Sequence, residues 1–180
     1  MTGTGVPIPA LDPPWPDDQT IVVVASDTAS PGWRRLAHEV ATVVQPDEGH
    51  SFPLTERIPG SDSEDPRKAF LYRRAAYVCG YLCLVDKVVT GYREASARYR
   101  EAVAAERVTR PCVLVVWVAI EMRRHGIARD LVNAAAQYSG VTPSGLAWAE
   151  PFTDRGYLLA RSHGSGRLVD RGLQLSLQCA

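Results

Sequence analysis

The sequence predicts an α/β domain, a mixed central sheet with helices on both faces, on three observations. Short apolar runs bounded by turn formers recur at IVVVA (Ile21 to Ala25), AYVCGYLCLV (Ala76 to Val85) and CVLVVWVAI (Cys112 to Ile120), as buried strands require. Segments with apolar residues at helical spacing alternate with them, giving the order β-α-β-β-(α)-β-α-β-α-β. The chain has 180 residues and 46% hydrophobic composition, enough for one substantial core.

The elements follow in order. The first twenty residues, MTGTGVPIPALDPPWPDDQT, are rich in Pro and Gly without a period, which predicts a mobile or loosely docked arm over 1–20 and a single domain over 21–180. IVVVA is the first strand. Ser30 then stands as a helix cap with Pro31 at the first helical position, and Trp33, Leu36, Ala37, Val40, Val43 and Val44 form one apolar face. Residues 45–66 carry Pro, Gly, Asp and Ser clusters and read mostly as loop. AFLYR (Ala69 to Arg73) and AYVCGYLCLV read as two strands joined tightly, the second central, and Gly80 inside it marks a bulge or a close approach. A further strand over Val88 to Gly91 is followed by a helical spacing of Tyr92, Ala95, Tyr99 and Val103, with Glu94 four before Arg98 and Pro111 as its end. Val113 to Ala119 is a strand, Ile120 to His125 a loop, and Ile127, Leu131, Ala135 and Tyr138 mark a helix face. LAWA (Leu146 to Ala149) reads as a strand, Thr153 to His163 as a short helix, and Arg167 to Leu177 as a last strand or hairpin.

Composition excludes several classes of function. Lys+Arg and Asp+Glu both total 20, so no global charge points to nucleic acid or an anionic membrane, and an anion site must be local. The four cysteines form no CxxC pair and the four histidines are scattered, so zinc-ligand spacing is absent and no metal is expected. Cys79 and Cys83, four apart on a strand, share one face as small buried hydrophobes. No apolar run is long enough to span a bilayer, and the N-terminus has neither a basic flank nor a long apolar core; these features predict a soluble protein of the reducing cytoplasm.

The chemistry-bearing stretch is RRHGIA, Arg123 to Ala128, between the strand and DLVNAAAQY. A glycine-bearing turn from strand to helix leaves several backbone N–H groups without internal partners, and they converge with the positive end of the helix dipole. Gly126 lets an anion approach where a Cβ would intrude, and Arg123 and Arg124 stand where they could add charge-assisted hydrogen bonds at the rim. The turn is therefore expected to hold a pyrophosphate; a solvated basic turn is the competing reading. The pattern is neither GxGxxG nor a Walker loop, so nicotinamide and nucleoside triphosphate sites lack their spacing.

The Arg-x-x-Gly-x-Ala pattern resembles the coenzyme A motif of the GNAT acetyltransferase superfamily. That resemblance implies a GNAT-like fold, acetyl-CoA as co-substrate, Trp117, Val118 and Ala119 along the thioester and pantetheine, and Arg123, Arg124, His125, Gly126, Ile127 and Ala128 on the phosphates. From about Ala69 onward, WV, RRHGIARDLV and LAWAEPFTDRGYLLARSHG are similar to the catalytic domain of the acetyltransferases that establish sister-chromatid cohesion. This similarity places a catalytic acid at Glu150, immediately before Pro151, and a second acid at Asp154. Zinc-finger cysteine and histidine pairs and a polymerase-clamp-binding motif are both missing, and Leu114 and Ala149 stand where that family carries serines.

A lysine-like amine has a reference pKa near 10.4, so about one molecule in a few thousand is nucleophilic at neutral pH, and a base must take the proton. Glu150 at a strand end is the first choice, with Asp154 as runner-up or as an acid favouring a helix start. Tyr157 is read as packing, because the place of a GNAT general-acid tyrosine is Ala160. Backbone N–H groups near Val118 would meet the oxyanion. The expected reaction is direct acetyl transfer from acetyl-CoA to a primary amine, of a protein lysine or of a small molecule. No membrane partner and no direct nucleic-acid contact is expected, and a homodimer stays open. The alternative is a non-catalytic acyl-CoA-binding or interaction domain, motivated by the missing hydroxyls at 114 and 149.

Overall fold

Pairing of the apolar runs produces one mixed sheet of seven strands. The computed structural model describes residues 3–25, 28–48, 67–90, 93–96, 99–101, 107–149, 154–163 and 169–170. Its strands are β1 (Val6–Pro7), β2 (Ile21–Ala25), β3 (Lys68–Arg74), β4 (Tyr77–Thr90), β5 (Arg93–Ser96), β6 (Tyr99–Glu101), β7 (Arg107–Val118), β8 (Ala147–Ala149) and β9 (Val169–Asp170). Its helices are α1 (Pro31–Glu48), α2 (Ile127–Tyr138) and α3 (Asp154–Ser162). The main sheet runs β2-β3-β4-β7-β8-β9, antiparallel up to β7 and parallel from β7 to β9, with β1 on β4.

Alternation along β3 shows how both faces are covered. Phe70 meets Tyr138 of α2 edge to face at 5.7 Å between ring centroids, and Lys68 lies over the same ring. Ala69 and Leu71 point the opposite way and are also fully buried. On α1, Leu36, Ala37, Val40 and Val44 are buried at the spacing the sequence shows, with Val43 at the margin. Pro31 opens that helix as expected; Ser30 O accepts Arg34 N–H at 3.0 Å, as the residue before a helix does, and the Ser30 hydroxyl donates to the Asp12 carbonyl at 2.7 Å. The helix continues to Glu48, four residues into the segment read as loop; residues 49–66 lie outside the described ones.

Gly80 is a close approach. A Cβ there would stand 2.7 Å from Ile127 Cγ2, 3.0 Å from Tyr72 Cβ and 3.1 Å from Leu131 Cδ1, so only glycine lets α2 lie this near β4. Beside it, Tyr72 pairs with Gly80 and Arg73 with Val78, leaving Cys79 as an extra residue in a β-bulge. Gly80→Ala is expected to cost about 1–3 kcal/mol by overpacking. That lowers the midpoint of thermal unfolding, read by circular dichroism, by roughly 2–10 °C for a domain of this size.

Three expectations are corrected. The segment read as a helix over Tyr92 to Val103 is strand where it is described: β4 runs unbroken to Thr90, and β5 and β6 pair antiparallel. Their backbone register sets Arg93 opposite Glu101, Glu94 opposite Arg100 and Ser96 opposite Tyr99, a cross-strand pairing in place of the helical spacing. Pro111 does not end an element but lies inside β7, opposite Asp86. It precedes the first β7–β8 pair, at Cys112, so among the described strands β7 has a partner on one side only there, and the missing N–H is tolerated.

The third correction concerns the amino terminus. Described from residue 3, the arm is docked: Val6 and Pro7 pair with Val78 and Tyr77 of β4, and Ile8 N–H donates to Ala76 O at 2.9 Å. Trp15 is buried against Trp33 at 5.2 Å, its Nε1–H held by Gln19 O, while the Trp33 indole donates to Pro13 O. Arg73 lies over the Trp15 ring and donates to the carbonyls of Pro16 and Asp17. Proline limits regular structure in this stretch, but two tryptophans supply the buried area that holds it. The strand expected from Leu146 begins at Ala147, and of 167–177 only β9 is described. No helix among the described residues is long and apolar enough to cross a membrane.

Candidate functional site

The site lies where β7 ends. β4 pairs with β7 as far as Val118, but β8 pairs with β7 only at Cys112↔Ala147 and Val113↔Trp148. Past Val113, one flank of β7 therefore has no strand partner among the described residues. Leu114 is the extra residue of a bulge at that same point, where Cys83 pairs with Val115 and Leu84 with Val113. This flank, which no described strand covers, is extended backbone able to pair with an amide-bearing chain.

The chain then leaves the sheet through a short 3-10 turn over Ile120–Met122. Ala119 N–H is held by Cys79 O, Met122 N–H by Ala119 O, and Arg123 N–H by Ile120 O. Arg124 has φ 69° and Gly126 φ 84°, two left-handed residues on either side of His125. For Arg124 that conformation costs about 1–2 kcal/mol, the kind of backbone strain that collects at binding sites. Gly126 is the N-cap of α2 and supplies no side-chain cap. The first main-chain donor engaged after Arg123 is Asp130, to Gly126 O at 3.0 Å. The N–H groups of Arg124, His125, Gly126, Ile127, Ala128 and Arg129 have no acceptor among the described residues. Six consecutive donors at the positive end of a 12-residue helix make a strong anion seat.

Side chains around the seat divide the roles differently from the expectation. Arg123 is turned inward: its Nε donates to Val118 O at 2.9 Å, so the guanidinium braces the turn against the end of β7. Arg124 is exposed, as expected for a rim cation. His125 holds its Nδ1 at 3.2 Å from Met122 O and 3.0 Å from Arg123 O. With two carbonyls as partners, Nδ1 carries the proton and acts as a second brace. Space around Gly126 is open, since a Cβ would meet only Arg129 Nη2, at 3.5 Å; its positive φ, not crowding within the protein, selects glycine. Ile127 is buried under the sheet and contributes its N–H alone. Between 121 and 130 three arginines face two carboxylates, Glu121 and Asp130, so the seat is locally cationic in a neutral chain.

Trp117 and Ala119 are buried in the core at 3% and 1% exposure, so neither side chain lines an open surface; Val118 is half-buried. What these residues offer a ligand is main chain. Glu150 lies outside the described residues, next to Ala149 at the end of β8. Asp154 begins α3, but its side chain is outside the described set, as is that of Tyr157. Burial pushes the Cys79 thiol pKa up, with Arg74 opposing, so this cysteine, whose carbonyl holds Ala119 N–H, stays protonated and is no ready nucleophile. No group of three or more potential metal ligands occurs among the described residues.

Two contributors escaped the sequence reading. Arg129 N–H belongs to the seat one residue past the motif, a position the helix start implies. Gly3 O accepts Glu121 N–H at 3.1 Å, tying the 3-10 turn to the amino terminus, and no local pattern signals that contact.

No protein-family model and no curated protein matches the sequence. The fold matches solved structures of the xEco2 acetyltransferase domain. Bound to a CoA conjugate, that domain superposes with a TM-score of 0.61 at 21% identity, over 83% of this chain and 89% of its own. A second structure of the domain gives 0.60 at 22%, over 83% and 88%. The likeness bears out the GNAT-like α/β fold, a mixed sheet with helices on both faces, and the resemblance to cohesion acetyltransferases at the level of fold.

Proposed function

We propose that this chain is an acetyl-CoA-dependent N-acetyltransferase acting on a primary amine. The observation that carries the proposal is the row of N–H groups at Arg124 to Arg129 without an acceptor among the described residues, next to the flank of β7 that no described strand covers past Val113. A diphosphate has the charge and acceptor oxygens for the first, and a pantetheine arm has two amides for the second. Acetyl-CoA carries both groups in one molecule, and a CoA conjugate is bound in one xEco2 structure of the same fold.

In this reading Arg124 adds charge at the rim, while Arg123 and His125 keep the turn in its donor-outward form. The acceptor nitrogen attacks the thioester carbonyl carbon, the C–S bond breaks, and CoA leaves as a thiol after taking up a proton. Glu150 accepts the ammonium proton before attack, with Asp154 as the second candidate. Strand N–H groups near Val118 would meet the developing oxyanion. Direct transfer is favoured over a covalent enzyme intermediate because Cys79, the cysteine whose carbonyl holds Ala119 N–H, has its thiol pKa raised. A protein lysine and a small-molecule amine remain the two acceptor classes, in a cytoplasmic setting and with self-association to be tested alongside.

Thermal unfolding with and without CoA tests the binding step. At about 100 times Kd, a ligand held only by the folded state adds about 2.7 kcal/mol, or roughly 5–10 °C in midpoint for a chain of this length. Thiol release from acetyl-CoA across lysine peptides and small amines then tests transfer. A shift without release from any amine supports the non-catalytic acyl-CoA-binding alternative. No shift and no calorimetric heat overturns the proposal.

A further inference from the structure

The amino-terminal strand completes the lane that β7 abandons. β4 is paired with β3 on one side down to Tyr77, and with β7 on the other side only down to Gly80. β1 pairs antiparallel with Val78 and Tyr77, which have β3 on their other flank, so β1 takes the position β7 would have occupied. Ala119 N–H on Cys79 O is the last bond of β7's lane; two residues on, Glu121 N–H donates to Gly3 O. The 3-10 turn that leads into the seat is thus bounded on one side by β7 and on the other by residues 3–8. Arg74, beside β1's partners, also donates to Met122 Sδ at 3.6 Å.

From these contacts we infer that residues 3–8 are a positioning element for the CoA seat, holding the 3-10 turn so that the donors from 124 to 129 face outward together. The inference rests on the proposed CoA site. Gly5 is the residue on which the clamp depends. Its φ is 129°, and a Cβ there would run into the Val78 carbonyl, so no L side chain fits while β1 stays paired. Without the clamp, the turn would keep its own short-range bonds, Met122 N–H to Ala119 O and Arg123 N–H to Ile120 O, the two side-chain braces and the Arg74 donation to Met122 Sδ. A seat that must be ordered at the moment of binding pays that ordering out of its affinity.

The test uses the full chain and two variants. Gly5→Ala breaks the strand at its tightest point; Ile8→Pro deletes the donor to Ala76 O, and outside residue 8 it leaves all core side chains in place. Hydrogen exchange without ligand is expected to quicken at least fivefold at the amides of Met122 and Arg123 in both. The Kd for CoA is expected to rise about tenfold, and kcat at saturating acetyl-CoA to stay within about twofold. A merely stabilising strand would lower the unfolding midpoint and leave exchange at 122–123 and Kd alone, which overturns the inference. If the unaltered protein binds no CoA, the proposed function fails instead. Exchange at 122–123 then decides by itself whether residues 3–8 order the turn.

Discussion

Gly126→Val is expected to weaken CoA binding at least a hundredfold, measured by titration calorimetry, while the unfolding midpoint falls by only a few degrees. Gly126 sits at φ 84°, where an L side chain costs about 1–2 kcal/mol and a β-branched one more. A Cβ meets only the end of the Arg129 side chain at 3.5 Å, so the protein itself offers no clash, and the strain relaxes by rotating the turn. That rotation redirects the N–H groups of His125, Gly126 and Ile127. Losing two charge-assisted hydrogen bonds, at about 1.5–3 kcal/mol each, is enough for the hundredfold effect, since each tenfold is about 1.4 kcal/mol. Gly126→Asn separates the two roles of the glycine. Asparagine tolerates the left-handed region, so recovered binding would assign the effect to backbone conformation, and continued loss would assign it to the space a ligand needs. Unchanged affinity in the valine variant would remove the seat from the reaction.

The parts of this fold legible in the sequence are those whose stability is local or periodic. Trp33, Leu36, Val40 and Val44 bury at the spacing at which they are written, and Ile127, Leu131 and Ala135 do the same. The apolar run read as a strand over Val113 to Ala119 is one as far as Val118. Residues 92–103 misled because Tyr92, Ala95, Tyr99 and Val103 fit a helix face, whereas β5 and β6 are set by cross-strand pairing that no window of one strand contains. The amino terminus misled for a related reason. Two residues, Val6 and Pro7, carry no strand signal, and their pairing exists because β7 departs at Val118 more than a hundred residues later and leaves β4 a free edge.

Within the site, the motif located the backbone donors, but residue type could not say which way a side chain turns. Arg123 and Arg124 are neighbours of the same chemistry, and only the left-handed φ at Arg124 sends one inward to Val118 O and leaves the other exposed. The family resemblance implies that Trp117 lines the thioester arm. Strand alternation instead puts it, opposite Tyr81, into the core. A strand next to a ligand offers its flank, and side chains report only its faces.

Glu150→Gln should lower kcat by about 10²–10⁴ at neutral pH while leaving the Kd for CoA within about twofold, the range expected for loss of a positioned base. The amide is nearly isosteric with the carboxyl but cannot take the ammonium proton, and the seat at 124–129 is built from main chain that the change does not touch. The pH dependence gives the sharper readout. An acceptor amine with a reference pKa near 10.4 deprotonates itself as pH rises, so the deficit of the variant should shrink by about tenfold per unit toward that value. Thiol release at pH 7 and at pH 9.5 measures it. A loss that is the same at both pH values would mean that Glu150 supports structure or acceptor binding and not proton removal. Asp154→Asn completes the comparison. Asp154 is the first residue of α3, a position where a carboxylate is generally favoured by about 0.3–1 kcal/mol, so a role confined to the helix predicts a small drop in midpoint and an unchanged rate. A rate loss with the same pH-dependent recovery in Asp154→Asn, and none in Glu150→Gln, would transfer the base to α3.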